Sequence, residues 1–296
     1  MDINEIRKRN IGIFKNTKDL YESIPDLIFS VETSIKEQRM ISEKEELFAC
    51  SQKAMPKPND KKAKVIVSEK RSFEAAEPYA KAGKKVCVLN FADWITPGGW
   101  VLKGAPAQEE SLCRCSTLYP CISAPSMMEE FYLPHSERKK APLYKIHNDD
   151  LIYTPKVTVF KTDSDYPQFL PQEEWYQVDV ITCAAPNLKV KDSSQADTAK
   201  GPELDIKELK EILQSRIRRI FQAPLYYNNA NYDVLILGGF GCGAFSNPPE
   251  LVAQVFKEVK RFCRHFDTIE FPIFHREYEY KKILCKKKPQ LLLGHF

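Results

Sequence analysis

The sequence predicts an α/β fold: a three-layer α/β/α arrangement around a mostly parallel mixed sheet, preceded by an N-terminal helical extension. Two observations carry this prediction. From about residue 65 onward, short β-branched apolar runs alternate with amphipathic stretches of helical period, the pattern of βαβ units. The strands also read as continuous apolar runs, as in Val86-Cys87-Val88-Leu89, which marks a sheet covered on both faces.

Residues 1–48 read as helix. Ile3, Ile6, Ile11 and Phe14, then Leu20, Ile24, Leu27 and Ile28, recur at mixed helical spacings. Pro25 either starts a turn or interrupts the second helix. Residues 51–64 are rich in proline and lysine and read as a loop. The chain divides there into an extension (residues 1–62), a main domain (63–280) and a basic tail (281–296). In the main domain, residues 65–67 form a short strand and 68–82 a helix ended by Gly83. Residues 85–91 make the central strand. A helix opens at residues 109–118, with Pro120 helping to stop it. Residues 123–150 read as helix and loop. Residues 156–160 and 178–183 have β-branched strand character. Residues 189–202 are polar, lack aromatics and read as a mobile loop. The clearest helix spans 205–222. Leu209, Ile212, Leu213, Ile217, Ile220 and Phe221 form its apolar stripe, and Pro224 closes it. A strand at 233–237, a helix at 249–265 and a strand at 268–274 complete the domain.

Composition narrows the class. A chain of 296 residues with 43% hydrophobic content can bury a sizeable core. The net charge of +4 permits an anionic partner without demanding one, and nucleic acid is not the expected partner. The five histidines show no metal-ligand spacing, and Cys113, Cys115 and Cys121 do not make a zinc knuckle, so no metal and no cofactor is expected. Cys87 and Cys183 lie inside apolar runs and read as buried, reduced thiols. The N-terminus has no apolar signal core, and no uncharged apolar run approaches a membrane span. These features predict a soluble protein of a reducing compartment, cytoplasmic, or nuclear in a eukaryote. The basic tail reads as a solvated terminus or as a polyanion-attracting patch.

The chemistry-bearing stretch is residues 86–119. The apolar strand gives way to Asn90, then to a Pro97-Gly98-Gly99 turn, then to Gln108, Glu109 and Glu110. Carboxylates after a glycine turn at the C-terminal end of a strand stand where open α/β sheets bind ligands. A solvated first helical turn accounts for the same acids equally well.

The order of blocks adds a resemblance. Leu89-Asn90-Phe91-Ala92, then Pro97-Gly98-Gly99-Trp100, the seven spacers 101–107, and Gln108-Glu109-Glu110-Ser111-Leu112 with Arg114, Ser116, Leu118 and Tyr119 form the first block. Val180 to Asn187 (VITCAAPN) and Leu237 to Pro249 (LGGFGCGAFSNPP) form the second and third. Together they resemble the bacterial-type poly(ADP-ribose) glycohydrolases of the macrodomain superfamily, over roughly residues 63–275. The sequence departs from that family at Trp100, which stands where the family has a third glycine. A tryptophan there requires the turn to be rearranged, with the indole either in the cleft or on the surface.

The resemblance implies hydrolysis of ribose glycosidic bonds in poly(ADP-ribose), releasing ADP-ribose, with poly(ADP-ribose) or ADP-ribosylated proteins as partners. It implies Glu110 as general acid and base, and Glu109 as the residue holding ribose hydroxyls. Asn90 would bond the distal ribose, although it could equally cap a turn, and Gly98, Gly99, Trp100 and Gln108 would be substrate-binding. Gly239, Gly241, Cys242, Gly243 and Ala244 would carry the diphosphate, in a loop between a strand and a helix start whose amides suit phosphate. Phe245 would be a ribose or adenine platform. Two other readings fit the same residues: a mono-ADP-ribosyl hydrolase narrowed by Trp100, and a non-catalytic ADP-ribose binder.

Overall fold

The computed structural model describes residues 2–48, 54–138, 146, 148–189 and 204–274. The expected mobile loop from residue 190 and the basic tail lie outside these. Two helices come first, α1 (Ile3–Ser23) and α2 (Pro25–Glu37). Pro25 takes the first position of α2, where its missing N–H is harmless. Among the described residues seven strands follow: β1 (Arg39–Ile41), β2 (Lys64–Ser68), β3 (Val86–Phe91), β4 (Leu151–Val159), β5 (Tyr176–Cys183), β6 (Tyr232–Ile236) and β7 (Phe266–Pro272). The helices between them are α3 (Ser72–Lys81), α4 (Gln108–Cys115), α5 (Leu118–Ile122), α6 (Pro125–Met127), α7 (Leu133–Glu137), α8 (Ile206–Asn228) and α9 (Pro249–Glu258).

The strands form one sheet in the order β1-β4-β5-β3-β6-β7-β2. The pairs β5-β3, β3-β6, β6-β7 and β7-β2 are parallel, while β1-β4 and β4-β5 are antiparallel. Alternation along β3 separates two cores. Cys87 and Leu89 face Leu213, Ile217 and Phe256 of α8 and α9. Val86 and Val88 face Phe73 of α3 and Leu112 of α4, with Phe14 of α1 behind them. This is the expected three-layer architecture.

Several element boundaries differ from the sequence reading. Strand β4 begins at Leu151, not 156. Pro155 does not break it, because the register shifts between Thr154 and Val157 and Lys156 turns left-handed (φ 57°) at that bulge. Helix α4 ends at Cys115, and Pro120 falls in the first turn of α5 rather than acting as a stop. What ends α4 is Ser116, which is extended and bridges to Val159. Helix α8 runs past Pro224 to Asn228. Its buried Ala223, Pro224 and Leu225 hold the final turn against the sheet, and Asn229 closes it in the left-handed region. After α9 the chain tightens into a 3₁₀ helix, Lys260–His265. The buried residues Val259, Phe262 and His265 are spaced by three, which aligns them on such a helix. The edge strand β1, read as helix from sequence, is three residues long and carries no alternation.

Candidate active site

The site gathers at the C-terminal ends of β3 and β6, where α4 and a glycine loop begin. Asn90, fully buried on β3, donates through Nδ2 to Thr182 Oγ1 and to Glu109 Oε1, both at 3.2 Å. Its Oδ1 is buried with no partner. An acceptor held that way beside a carboxylate has an unmet demand for a donor, of the kind a sugar hydroxyl supplies. Gln108 locks the strand to the helix: its Oε1 accepts the Phe91 N–H (2.9 Å), and its Nε2 donates to Leu89 O (2.8 Å) and Ser72 Oγ (3.0 Å).

The glutamates begin α4 and are both buried, 3% and 6% exposed. Glu109 Oε2 accepts the Asp93 N–H at 2.7 Å, and Glu110 Oε1 accepts the Trp100 N–H at 2.9 Å. Different amides therefore hold the two carboxyls. They nevertheless converge over Gly99: a Cβ there would stand 2.6 Å from Glu110 Oε1 and 3.1 Å from Glu109 Oε2. Gly98 and Gly99 take the left-handed region (φ 69° and 58°) and bring the turn beneath the acids. Trp100 itself lies at φ −102°, ψ 35°, so the family's third glycine is replaced without a left-handed tryptophan. Its indole is 51% exposed.

Burial pushes the Glu110 carboxyl above its ordinary value of 4.5, against the lowering pull of the Trp100 N–H. Burial raises Glu109 further, opposed by the Asp93 N–H and assisted by Glu110 itself. An upward shift of this kind favours the proton-bearing form, the direction a general acid requires.

The glycine loop follows β6. Gly241 is left-handed (φ 73°), and its backbone is clamped by Asn247, whose N–H and Nδ2 both donate to Gly241 O. Among the described residues, the N–H groups of Gly241, Gly243 and Ala244 have no hydrogen-bond partner. A cavity of about 420 Å³ opens in front of them, walled by Gly239, Gly241, Cys242, Gly243, Ala244 and Phe245 on one side and by Gln108 on another. Asn90, Gly98, Gly99, Trp100, Glu109 and Glu110 are not in its wall. They stand beyond Gln108, so the expected residues form two adjoining parts.

Sequence reasoning missed the far wall of the cavity. Arg71 lies over the Phe274 ring at 4.7 Å and pairs with Asp165 at 2.6 Å. The buried Asp163 accepts from Phe73 N–H (3.0 Å) and Ser111 Oγ (2.8 Å). All three residues line the cavity, and none has a local signal, because positions 71, 163 and 274 meet only in the fold. Asp93, whose amide holds Glu109, was also missed.

The model of the microbial-type PARG catalytic domain matches residues 26–162, the segment that supplies β3, the glycine turn and both glutamates. Poly(ADP-ribose) glycohydrolase from Thermomonospora curvata superimposes with a TM-score of 0.76 at 26% identity, covering 93% of this chain and 99% of that one. The chain is similar to the microbial-type poly(ADP-ribose) glycohydrolases, in sequence over residues 26–162 and in fold over most of its length. The same Thermomonospora enzyme bound to the inhibitor ADP-HPD matches with a TM-score of 0.75 at 27% identity, over the same shares of both chains. A Deinococcus radiodurans family member in complex with ADP-ribose matches at 0.69 and 25% identity, over 86% of this chain and 96% of that one. No curated protein sequence matches significantly. Among the described residues no helix is long and apolar enough to cross a membrane.

Proposed function

We propose that the protein hydrolyses ribose glycosidic bonds in poly(ADP-ribose), releasing ADP-ribose. The observation that carries this reading is the convergence of two buried carboxyls over Gly99, next to a cavity edged by unpartnered amides. The amides of Gly241, Gly243 and Ala244 offer donors to a diphosphate, and Phe245, half-buried at the cavity, offers a face to a ribose or base. The distal ribose then extends past Gln108 toward the acids, where Asn90 Oδ1 and Glu109 receive its hydroxyls.

Cleavage at the anomeric carbon passes through an oxocarbenium-like state. Glu110, raised by burial, gives its proton to the leaving oxygen as the bond to the anomeric carbon breaks. The resulting carboxylate takes a proton from the attacking water and returns to its starting form. Glu109 stays oriented by Asn90 and Asp93 while it holds the sugar.

The test is Glu110→Gln, which keeps the shape and the Trp100 hydrogen bond but removes the acid. Release of ADP-ribose from polymer should fall at least about 100-fold, the scale of one acid–base group. ADP-ribose affinity by calorimetry should be retained. Near-normal hydrolysis by the variant would remove Glu110 from the role. Wild-type protein that binds ADP-ribose without turning polymer over would be a binding module.

A further inference from the structure

The geometry points to a second nucleotide-binding platform, made by Trp100 and Lys103, for the leaving half of the substrate; this rests on the glycosidase reading above. A glycoside cleaved at Glu110 needs room for two partners. ADP-ribose fills the cavity beside the glycine loop. The leaving unit, an adenosine that carries its own diphosphate, must lie outside it. The short helical turn Val101–Lys103 and the glycines before it contribute nothing to the cavity wall, yet Trp100 is tied to the acid by its own N–H.

That turn displays a surface suited to a nucleotide. The indole of Trp100 is 51% exposed, although tryptophan is among the residues with most to gain from burial. Lys103 Nζ lies 4.5 Å from the ring centroid. Among the described residues Lys103 pairs with no carboxylate. The ammonium stands over one face of the indole, and the other face matches an adenine plane with a diphosphate attached: the base stacks on that face and the ammonium meets the phosphates. The two glycines before Trp100 fix the platform's position, because their left-handed turn and the Glu110 hydrogen bond set where the tryptophan backbone stands. Trp100 thereby becomes a specificity determinant for substrates whose leaving group carries a base.

The experiment uses the Glu110→Gln protein, in which turnover does not confuse binding, titrated with ADP-ribose and with the two-unit dimer of ADP-ribose. The dimer should bind on the order of tenfold more tightly than the monomer, the scale of one stacked base. Adding Trp100→Ala should erase that advantage, read as the ratio of dimer to monomer affinity, and Trp100→Phe should keep most of it. Lys103→Gln should weaken the dimer's salt dependence. A dimer no tighter than the monomer, or an advantage that survives Trp100→Ala, would overturn the platform and leave the glycosidase reading standing. Failure of the monomer itself to bind would sink both.

Discussion

Replacing Gly99 with alanine tests the placement of both carboxyls with a single methyl group. Gly99 sits at φ 58°, a conformation that costs a residue bearing a Cβ about 1–2 kcal/mol. The new Cβ would lie 2.6 Å from Glu110 Oε1 and 3.1 Å from Glu109 Oε2, where ordinary contact begins at 3.4 Å. Glu110 must therefore retreat by roughly 1 Å, a distance at which displaced catalytic groups lose on the order of 100-fold in rate. Both clashing atoms are the ends of side chains, so the backbone is not forced apart. The stability cost stays near the backbone strain, about 1–2 kcal/mol, and Tm drops by only a few degrees. The assay measures kcat on poly(ADP-ribose), ADP-ribose affinity by calorimetry and Tm. The expected result is a kcat loss on the order of 100-fold, with affinity and fold largely kept. A folded variant retaining kcat within about tenfold would refute the reasoning, because the two carboxyls could then move without consequence.

The other predictions concern the glycine loop, the acids' protons and the N-terminal helix. A Cβ on Gly243 meets nothing within 4 Å, so Gly243→Val should keep its Tm yet lose at least about tenfold in ADP-ribose affinity if its amide faces the diphosphate. Gly241→Val should instead unfold early, since its Cβ would stand 2.5 Å from Ala185 and from Asn247. Because burial raises Glu109 and Glu110 in the fold, the native state binds extra protons, and their stabilising contribution is complete below the ordinary carboxylate range and lost as pH rises through the raised values. Glu109→Gln and Glu110→Gln should therefore be more thermostable than wild type at about pH 8 and lose that advantage near about pH 4; a constant offset by calorimetry would count against it. Gly104→Ala would place a Cβ 2.1 Å from the Arg7 carbonyl in the left-handed region and should lower stability by about 2–4 kcal/mol in denaturant titration.

Where a local pattern determined the outcome, the chain was readable. The apolar run of β3, the acids after a glycine turn and the loop after β6 each depend on neighbours in sequence, and each stands where expected. Helix α8 announced itself by its stripe, and Asp205 caps it by accepting the Glu208 N–H at 2.7 Å. Its length was misread because proline normally ends a helix, whereas here Pro224 lies buried inside the helix between the core residues Ala223 and Leu225. The first half of β4 was hidden by Pro155 for the same reason, since a bulge exists only in the paired strand. Arg71, Asp163 and Phe274 were illegible because a cavity wall built from three distant positions has no sequence pattern. The packing of α1 was equally invisible. Its buried stripe, Asn10, Phe14, Thr17 and Tyr21, is half polar, and those polar groups meet partners far along the chain.

That stripe has a consequence for synthesis. Asn10 donates to Gly104 O (3.1 Å), Thr17 to Arg114 O (2.5 Å), and Lys161 reaches back to Asn16 and Thr17 (2.8 Å each). The helix is thus translated long before its docking surface exists. At about 5–20 residues per second, the ribosome takes on the order of 10 s to reach residue 161. Throughout that interval half of the stripe, Asn10 and Thr17, is polar and remains wetted. A greasier helix would bind more tightly at the end, but it would spend those seconds available to aggregation or to chaperones. The polar stripe instead lets α1 wait in water and dock late, onto the helix that carries the glutamates.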